Sequence, residues 1–292
     1  MFSAAVITAC LTSAVSGGIY SGPSGTTNGA PDNPIARSAV STFETSVVEY
    51  FPAAGVSPSF TNPETGLSSL GEVNGSGTPG YITLGFDAPI TNGLGADFAV
   101  FENGFNFGTN SDGVPGLFAE FAYVDVSTNG SDFLRFPSIN LNSGPLPGGF
   151  GGAFSGFDVT NVNNLAGKHA ANWGTPFDLD ALSTDTLVLN GIVNLDQINY
   201  IRLTDIPGDG SYTDSLGNPI YDNFPTSGSG GFDYVGLPTG AIGVLNSVTA
   251  VPEPSSLAIM GMLTAGFVAR HRRRRRHPRE TSKAATSNDD AA

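Results

Sequence analysis

Residues 121–136 read Phe-Ala-Tyr-Val-Asp-Val-Ser-Thr-Asn-Gly-Ser-Asp-Phe-Leu-Arg-Phe. The first half alternates, which places Ala122, Val124 and Val126 together on one face of a β-strand. The Asn-Gly pair that follows at 129–130 is a strong signal for a tight turn between antiparallel strands. The segment is therefore predicted to be a β-hairpin whose second strand covers Phe133–Phe136.

Short strand patterns of this kind recur along the chain, and none shows helical periodicity. The other predicted strands are Tyr81–Phe86, Asp97–Glu102, Thr186–Leu189, Asn199–Asp205 and Phe232–Val235. With 39 Gly and 20 Pro in 292 residues, turn-forming residues separate these short apolar runs. We therefore predict an all-β fold, an antiparallel two-sheet β-sandwich. Since no internal repeat has a fixed period, a propeller or β-helix is disfavoured.

The net charge of −14 combines two unlike parts of the chain. The residues before 253 contain 22 Asp and Glu but four basic residues, Arg37, Arg135, Lys168 and Arg202, a balance of −18. The rest has eight basic and four acidic residues, a balance of +4. Because nucleic-acid binding requires Lys and Arg to neutralise phosphates, the acidic part is not expected to bind DNA or RNA.

The N-terminal segment, residues 1–18, is predicted to be a signal peptide. It is apolar, and Ala14-Val15-Ser16 before Gly17 suits a small-residue cleavage site, although no Lys or Arg precedes the apolar run. Lipidation of Cys10 is the less favoured alternative. Since Cys10 is the sole cysteine, the mature body is expected to contain no disulfide and no thiolate nucleophile.

The C-terminal segment contains three features in a defined order. Pro252-Glu253-Pro254 precedes an apolar run, Leu257–Ala269, and a basic cluster, Arg270–Arg276, follows directly. An apolar helix of about 15 residues spans roughly 22 Å, which flanking arginines that reach the interface can extend to a short transmembrane helix. The arginines would remain cytoplasmic and place the body outside. A short buried helix with a solvated tail, or a nuclear-localisation or nucleic-acid patch, are the alternatives.

This order resembles the PEP-CTERM sorting signal of bacterial exported proteins. The resemblance implies that an exosortase, a membrane transpeptidase, recognises the sorting motif, here Pro252, Glu253, Pro254, Arg272, Arg273 and Arg274. It also implies transient anchoring in the inner membrane and delivery to the cell surface or extracellular matrix. The polar extension after residue 277 is longer than such signals usually have.

The body carries a second resemblance. Val124–Phe133 and Ile198–Leu203 resemble paired strands of galactose-binding-like, discoidin-type jelly rolls. The body also resembles an uncharacterised cell-surface domain common in PEP-CTERM proteins, through Ile82–Phe86, Asp97–Asn103, Asn164–His169, Gly174–Asp178 and Gly230–Asp233. The resemblance implies a jelly-roll sandwich and no assigned activity. The expected organisation is a signal peptide (1–18), a β-sandwich domain (19–245), a linker (246–251), the sorting signal (252–276) and a polar cytoplasmic tail (277–292).

Several acidic residues fall on apolar faces at strand ends. A buried carboxylate must be hydrogen-bonded, paired or bound to a cation, and four basic residues cannot pair with most of 22 acids. Calcium, which binds oxygen ligands, is therefore the possible cofactor. Its candidate ligands are Glu102, Asn103, Asp205, Asp209 and Asp233. The alternative is that these residues are solvated in turns, since no contiguous calcium-binding loop is present.

Catalysis is not expected. His169 is the only histidine of the body, which excludes a multi-histidine zinc site there, and no Gly-x-Ser-x-Gly motif occurs. The pair Asp178 and Asp180 is weak evidence for glycoside hydrolysis. Trp173, with His169 and Lys168, is a candidate sugar-binding platform, and a buried packing role for Trp173 is the alternative.

The predicted function is that of an exported, surface-sorted, non-catalytic protein with a structural or binding role in the cell envelope or extracellular matrix. A carbohydrate-binding module that binds extracellular polysaccharide is one alternative. A calcium-dependent, self-associating surface protein is the second.

Overall fold

A computed structural model describes residues 18–26, 30–64, 66–73, 77–109, 115–144, 156–223, 228–236 and 239–248. The chain divides into two units, residues 1–248 and 249–292. The fold described below is that of the first unit. The second unit, with the predicted sorting signal and tail, lies outside the described residues, as does nearly all of the predicted signal peptide.

Short strands dominate the described residues. The strands are β1 (Ile35–Ala36), β2 (Thr42–Phe43), β3 (Ser46–Phe51), β4 (Leu67–Ser69), β5 (Tyr81–Ile90), β6 (Phe98–Val100), β7 (Phe105–Thr109), β8 (Pro115–Phe118), β9 (Ala122–Ser127), β10 (Leu134–Arg135), β11 (Ile139–Asn140), β12 (Val162–Asn163), β13 (Trp173–Phe177), β14 (Ile198–Asp205), β15 (Asp209–Thr213), β16 (Pro219–Tyr221), β17 (Asp233–Val235) and β18 (Ile242–Val244). The helical segments are one α-helical turn, α1 (Thr186–Leu189), and 3₁₀ turns at Arg37–Ala39, Pro58–Phe60, Val159–Asn161 and Leu179–Leu182.

Two five-stranded antiparallel sheets form the framework. Sheet I has the strand order β1-β13-β6-β18-β2, and sheet II has the order β10-β9-β14-β5-β3. In sheet II the central strand β14 places Leu203 opposite Ile82 of β5 on one side and Val124 of β9 on the other. The pairs β4–β17, β7–β8, β11–β12 and β15–β16 form separate two-stranded ladders.

The two sheets bury one common apolar core. Sheet I contributes Phe98 and Phe177, whose rings stack at 5.2 Å between centroids, and sheet II contributes Leu84, Val126 and Ile201. Burial of large apolar side chains contributes about 1.5–3 kcal/mol each, so this shared core holds the sheets face to face. The structure thus confirms an all-β, sandwich-like arrangement of antiparallel sheets, while the specific jelly-roll topology stays a prediction.

Strand β9 is buried on both faces, and this feature positions the functional site. Its inward residues join the main core, whereas Phe121 and Tyr123 belong to a second apolar cluster with Phe157, Ile206 and Ile220. The segments that cover this outer face carry acidic residues at their ends. Because the cluster excludes water, any carboxylate beside it is desolvated.

The hairpin predicted at residues 121–136 is confirmed, since β9 and β10 pair antiparallel with Val126 opposite Leu134. Gly130 in the turn has a φ of +75°, a conformation that glycine adopts without strain. The other strands begin and end within a few residues of their predicted positions, with one exception described next.

The strand predicted at Thr186–Leu189 is wrong, because these residues form α1. The apolar, partly β-branched run suggested a strand, but local capping decides otherwise. The Asp185 side chain accepts a hydrogen bond from the Leu187 amide at 2.8 Å, which caps the N-terminus of the turn. Gly191, with a φ of +70°, follows the C-terminus, where a left-handed residue commonly ends a helix.

Candidate functional site

Buried acidic residues gather where several strands end. Asp205 is the last residue of β14 and lies opposite Ala122, at the start of β9. Glu120 lies two positions before the first residue of β9, and Asp222 directly follows β16. Glu72 lies beyond β4 and forms a two-way backbone bridge with Gly228. We call Glu72, Glu120, Asp205 and Asp222 the acidic cluster.

Three members of the acidic cluster approach each other closely. Glu72, Glu120 and Asp222 each present a carboxylate oxygen, and these oxygens all lie within 4.8 Å of one another. The side chains are buried, with exposed fractions of 0, 4 and 3 %. This is the only group of three or more such ligands that the described residues bring within that distance.

The backbone positions the acidic cluster tightly. The Phe121 amide donates a hydrogen bond to Asp222 Oδ2 at 3.4 Å, and the Phe232 amide donates to Asp205 Oδ1 at 2.7 Å. Glycines allow this close approach, because a Cβ on Gly208 would lie 1.7 Å from Asp222 Oδ1 and one on Gly231 would lie 2.6 Å from Asp205 Oδ1. The carboxylates are therefore oriented by main-chain groups.

Some oxygens of the acidic cluster have no partner. Within the described part of the chain, no hydrogen-bond partner exists for Glu72 Oε2, Glu120 Oε2 or Asp205 Oδ2, all of them buried. Leaving a buried polar atom unsatisfied costs about 1–3 kcal/mol, and more for a charged group. The cluster thus contains acceptors that the described residues around it leave unsatisfied.

Burial and mutual repulsion perturb the pKa values of these groups. Burial raises the pKa of Glu72 to about 11, and the nearby Asp205 and Asp222 add to the effect. Burial likewise raises the pKa of Glu120 well above its ordinary value, and the charges of Asp222 and Glu72 raise it further. Burial also raises the pKa of Asp205, although the hydrogen bond from Phe232 opposes it. Each carboxylate therefore disfavours the ionised form of its neighbours.

The five predicted calcium ligands do not form one site: one belongs to the acidic cluster, three form a neighbouring group, and one is partly exposed. Asp205 belongs to the acidic cluster. Glu102, Asn103 and Asp233 form a neighbouring group, in which Asn103 Nδ2 donates to Asp233 Oδ2 at 3.0 Å and the Gly104 amide donates to Glu102 Oε2. Asp209 is partly exposed and accepts from the Ser211 amide at 2.8 Å.

The neighbouring group is also electrostatically strained. Burial raises the pKa of Glu102, with the charge of Asp233 as the next cause. Burial raises the pKa of Asp233 to about 6, although hydrogen bonds from Asn103 and Ser69 oppose the rise. Asp233 Oδ1 is another buried oxygen without a hydrogen-bond partner among the described residues. The predicted residues are thus close to the most strongly desolvated carboxylates of the body.

Glu72, Glu120 and Asp222 were not predicted as site residues. Glu120 carried a usable signal, since it is a single carboxylate within the apolar run Leu-Phe-Ala-Glu-Phe-Ala at 117–122. Glu72 and Asp222 follow short strands and resemble ordinary turn acids in sequence. Nothing local distinguishes them, because their proximity to Glu120 arises from tertiary packing.

The structure separates the three residues of the predicted sugar platform. Lys168 is fully buried, and its Nζ pairs with Asp32 and donates to the Val162 carbonyl at 2.7 Å. His169 is 1 % exposed and contacts the Gly22 carbonyl at 2.9 Å through Nδ1. Trp173 is partly exposed on β13. A platform at this position would therefore rest on Trp173 without polar help from the other two.

The residues of the predicted sorting motif, Pro252, Glu253, Pro254 and Arg272–Arg274, lie outside the described residues, as does the apolar run Leu257–Ala269. Among the residues that are described, no helix has the length and apolar character needed to cross a membrane.

Comparison with known families finds one match. Residues 250–275 match the PEP-CTERM protein-sorting motif, the segment that the sequence predicted to be a sorting signal. No curated protein matches the chain. The motif indicates an exported, surface-sorted protein and implies processing by an exosortase with membrane anchoring, and it covers none of the body.

Proposed function

We propose that this chain is an exported, non-catalytic protein with a structural or binding role in the cell envelope or extracellular matrix. The sorting-motif match at residues 250–275 carries the proposal. The apolar run Leu257–Ala269 would anchor the precursor transiently in the inner membrane, with the following arginines in the cytoplasm. The acidic β-sandwich, resembling galactose-binding-like jelly rolls, would be the part delivered to the surface.

The environment of His169 supports the proposal that the protein is not catalytic. The one histidine of the body is buried against the Gly22 carbonyl and Ser21, so it has no access to an external substrate. Burial lowers its pKa well below the ordinary value, and the adjacent Lys168 charge lowers it further. A general base needs a pKa near the working pH and contact with the substrate, and His169 meets neither requirement.

The test is surface delivery in a bacterium that encodes an exosortase. Replacing Pro252, Glu253 and Pro254 together by Ala should hold the chain in the inner-membrane fraction and reduce the surface-exposed pool at least tenfold. Replacing Pro278 by Ala, in the polar extension, is the matched control and should leave delivery unchanged. Equal surface delivery of the triple variant and the unaltered chain would refute the proposal.

Carbohydrate binding is the second candidate, and one feature of the surface favours it. An open groove of about 350 Å³ is lined by Asn140, Leu141, Asn142, Ser143, Asn218, Pro219 and Tyr221. Amide groups that bond sugar hydroxyls and an aromatic ring that stacks on the sugar are the usual elements of such sites. Polysaccharide pull-down should weaken in Tyr221→Ala if the groove binds, and in Trp173→Ala if the predicted platform does.

Calcium-dependent self-association, the remaining alternative, needs carboxylates that two copies can share. The acidic cluster is buried and cannot be shared in this way, whereas exposed acids can. Light scattering that shows calcium-dependent growth in particle size would support this alternative. A monomer whose stability alone responds to calcium would exclude it.

A further inference from the structure

We propose that Glu72, Glu120 and Asp222, with Asp205 beside them, bind one divalent cation, and that in the exported protein this cation is Ca²⁺. Cation binding at this site does not depend on the sorting signal, and only the reference to the exported protein rests on the proposed function. It rests on the spacing of the oxygens, on their unsatisfied acceptor capacity and on the distribution of positive charge in the body.

The spacing of the carboxylate oxygens suits a single ion. Oxygens bound to the same Ca²⁺ lie about 2.3–2.6 Å from it, so two of them can be at most about 5 Å apart. The oxygens of Glu72, Glu120 and Asp222 meet this limit, since all lie within 4.8 Å of one another. One ion at the centre of the three would lie at most about 2.8 Å from each oxygen, which is within a few tenths of an ångström of a Ca²⁺–oxygen bond.

Two other buried carboxylates of this protein, those of Glu44 and Asp97, are satisfied by hydrogen bonds. Glu44 accepts from the amides of Ala241 and Ile242, both at 2.8 Å, and from the Tyr234 hydroxyl at 3.0 Å. Asp97 accepts from the amides of Gly93 and Leu179 and from the Asn246 side chain.

The acidic cluster differs from these satisfied carboxylates. Glu72 Oε2, Glu120 Oε2 and Asp205 Oδ2 have no hydrogen-bond partner among the described residues. Since the fold satisfies Glu44 and Asp97 with protein donors, three unsatisfied oxygens in one place indicate an external ligand with positive charge.

The basic residues of the body are engaged elsewhere. Lys168 pairs with Asp32, Arg135 with Asp125 and Arg202 with Glu49. Arg37 donates to the carbonyls of Thr239 and Gly240 and lies over the Phe101 ring at 4.3 Å. No basic side chain of the described body thus contacts the acidic cluster.

A cation removes the electrostatic cost of the acidic cluster. Glu72, Glu120 and Asp222 are buried within 4.8 Å of one another, so the ionised cluster is unfavourable without a countercharge. A bound divalent ion is the largest local charge in such a site and reverses this preference.

The chemistry of the ligands selects a hard cation. All four side chains offer carboxylate oxygens, which suit Ca²⁺ and Mg²⁺, whereas softer metals favour imidazole and thiolate. Ca²⁺ accepts six to eight oxygens in irregular geometry, while Mg²⁺ demands a near-ideal octahedron and retains water. A buried cluster assembled from four separate segments fits Ca²⁺ better.

The site would link parts of the chain that are distant in sequence. Glu72 follows β4, Glu120 precedes β9, Asp205 ends β14 and Asp222 follows β16. A cation bound to Glu72, Glu120 and Asp222 would join two two-stranded ladders to the start of β9 in sheet II. Its expected effect is stabilisation of the folded body, since the unfolded chain does not assemble these ligands.

The experiment measures thermal unfolding of the purified full chain after exhaustive chelation and then with 10 mM Ca²⁺ or Mg²⁺. Extracellular calcium sites typically bind with Kd of about 10⁻⁴–10⁻³ M, which predicts a rise in Tm of about 3–10 °C with Ca²⁺. Calorimetric titration should give a stoichiometry near one. No Tm shift and no binding heat, or a larger shift with Mg²⁺ than with Ca²⁺, would overturn the proposal.

The variant Glu120→Gln separates cation binding from a merely structural role. Because Gln keeps the size of the Glu120 side chain and adds no charge to the acidic cluster, the chelated variant should melt at the same temperature as the chelated unaltered protein or higher. Its Ca²⁺-induced shift should fall to less than a third. Glu64→Gln, at an exposed acid, is the matched control and should keep the full shift. An undiminished Ca²⁺-induced Tm shift in Glu120→Gln would overturn the proposal. If Glu120→Gln does not fold, Asp222→Asn is used in its place.

Discussion

Replacing Asp32 by Asn is expected to destabilise the protein by about 3–5 kcal/mol, because it leaves the Lys168 ammonium without a counterion. The Lys168 side chain is fully buried and that of Asp32 is 8 % exposed. Besides forming the ion pair, Lys168 Nζ donates a hydrogen bond to the Val162 carbonyl at 2.7 Å and lies 5.5 Å from the centroid of the Tyr20 ring. A carbonyl does not neutralise an ammonium, so the loss of the Asp32 charge is not compensated locally.

The ordinary pKa of lysine sets an upper bound on this loss. Burial already lowers the pKa of Lys168 from 10.5, and the charge of Asp32 opposes that shift. In Asp32→Asn the folded state can escape the buried charge by deprotonation. At pH 7 this escape costs about 1.4 kcal/mol for each of roughly 3.5 pH units, or about 5 kcal/mol. The variant should therefore lose no more than this amount.

The same argument predicts a pH dependence with a definite sign. In Asp32→Asn the folded-state pKa of Lys168 falls further below its unfolded value, so the unfolded chain binds more protons. Stability of the variant should then rise with pH relative to the unaltered protein. Between pH 7 and pH 9 the penalty should shrink by up to about 1.4 kcal/mol per unit.

Urea unfolding, followed by the fluorescence of Trp173, the sole tryptophan, measures these differences. The double variant Asp32→Asn/Lys168→Met should recover at least about 2 kcal/mol relative to the sum of the single variants, because the two residues are directly coupled. Glu49→Gln, in the exposed pair with Arg202, is the control and should cost less than about 1 kcal/mol. A cost for Asp32→Asn as small as this control, with no pH dependence, would refute the reasoning.

Two further predictions concern the surroundings of the acidic cluster and of His169. Gly167 and Gly217 both have a φ of +85°. A Cβ on Gly167 would lie 1.8 Å from the Glu120 carbonyl oxygen, whereas no described atom would lie within 4 Å of a Cβ on Gly217. Gly217→Ala should thus lower the free energy of unfolding by about 1–2 kcal/mol through backbone strain, and Gly167→Ala should lower it clearly more. Urea unfolding measures both, and equal losses would contradict the packing argument. Burial, with the charge of Lys168, lowers the pKa of His169, so its neutral form contributes stability above pH 6.5 that is lost as pH falls. Below pH 6.5, His169→Gln should reduce the slope of unfolding free energy against pH by up to about 1.4 kcal/mol per pH unit. Equal slopes for the variant and the unaltered protein would contradict the lowered pKa of His169.

Part of the site could be predicted because strand alternation is a local pattern. Asp205 shares a face with Ile201 and Leu203 in sequence, and the structure buries all three. Glu102 was predicted from Phe98 and Val100 on the same basis, and it is buried as well. An acid on an apolar face is visible without any knowledge of its partners, since the period of a strand is two residues.

The convergence of the acidic cluster could not be predicted in this way. Glu72 and Asp222 stand 150 positions apart. Each follows a strand of a separate two-stranded ladder, while the register of β14 against β9 places Asp205 opposite Ala122. The same limitation affected Lys168 and His169, since a polar Lys-His pair after glycine resembles an exposed loop until the N-terminal segment covers it. The helix α1 shows that even local structure can depend on a capping side chain.

The amino-acid sequence by itself determined the β class, the division of charge between body and tail, and the sorting motif that the comparison found at residues 250–275. Each is encoded in residues that are neighbours along the chain. Only the tertiary structure decided which carboxylates meet and which basic residues are already paired. The physical reason is that a site of four desolvated charges exists only when distant strand ends are packed together, and no linear pattern specifies that packing.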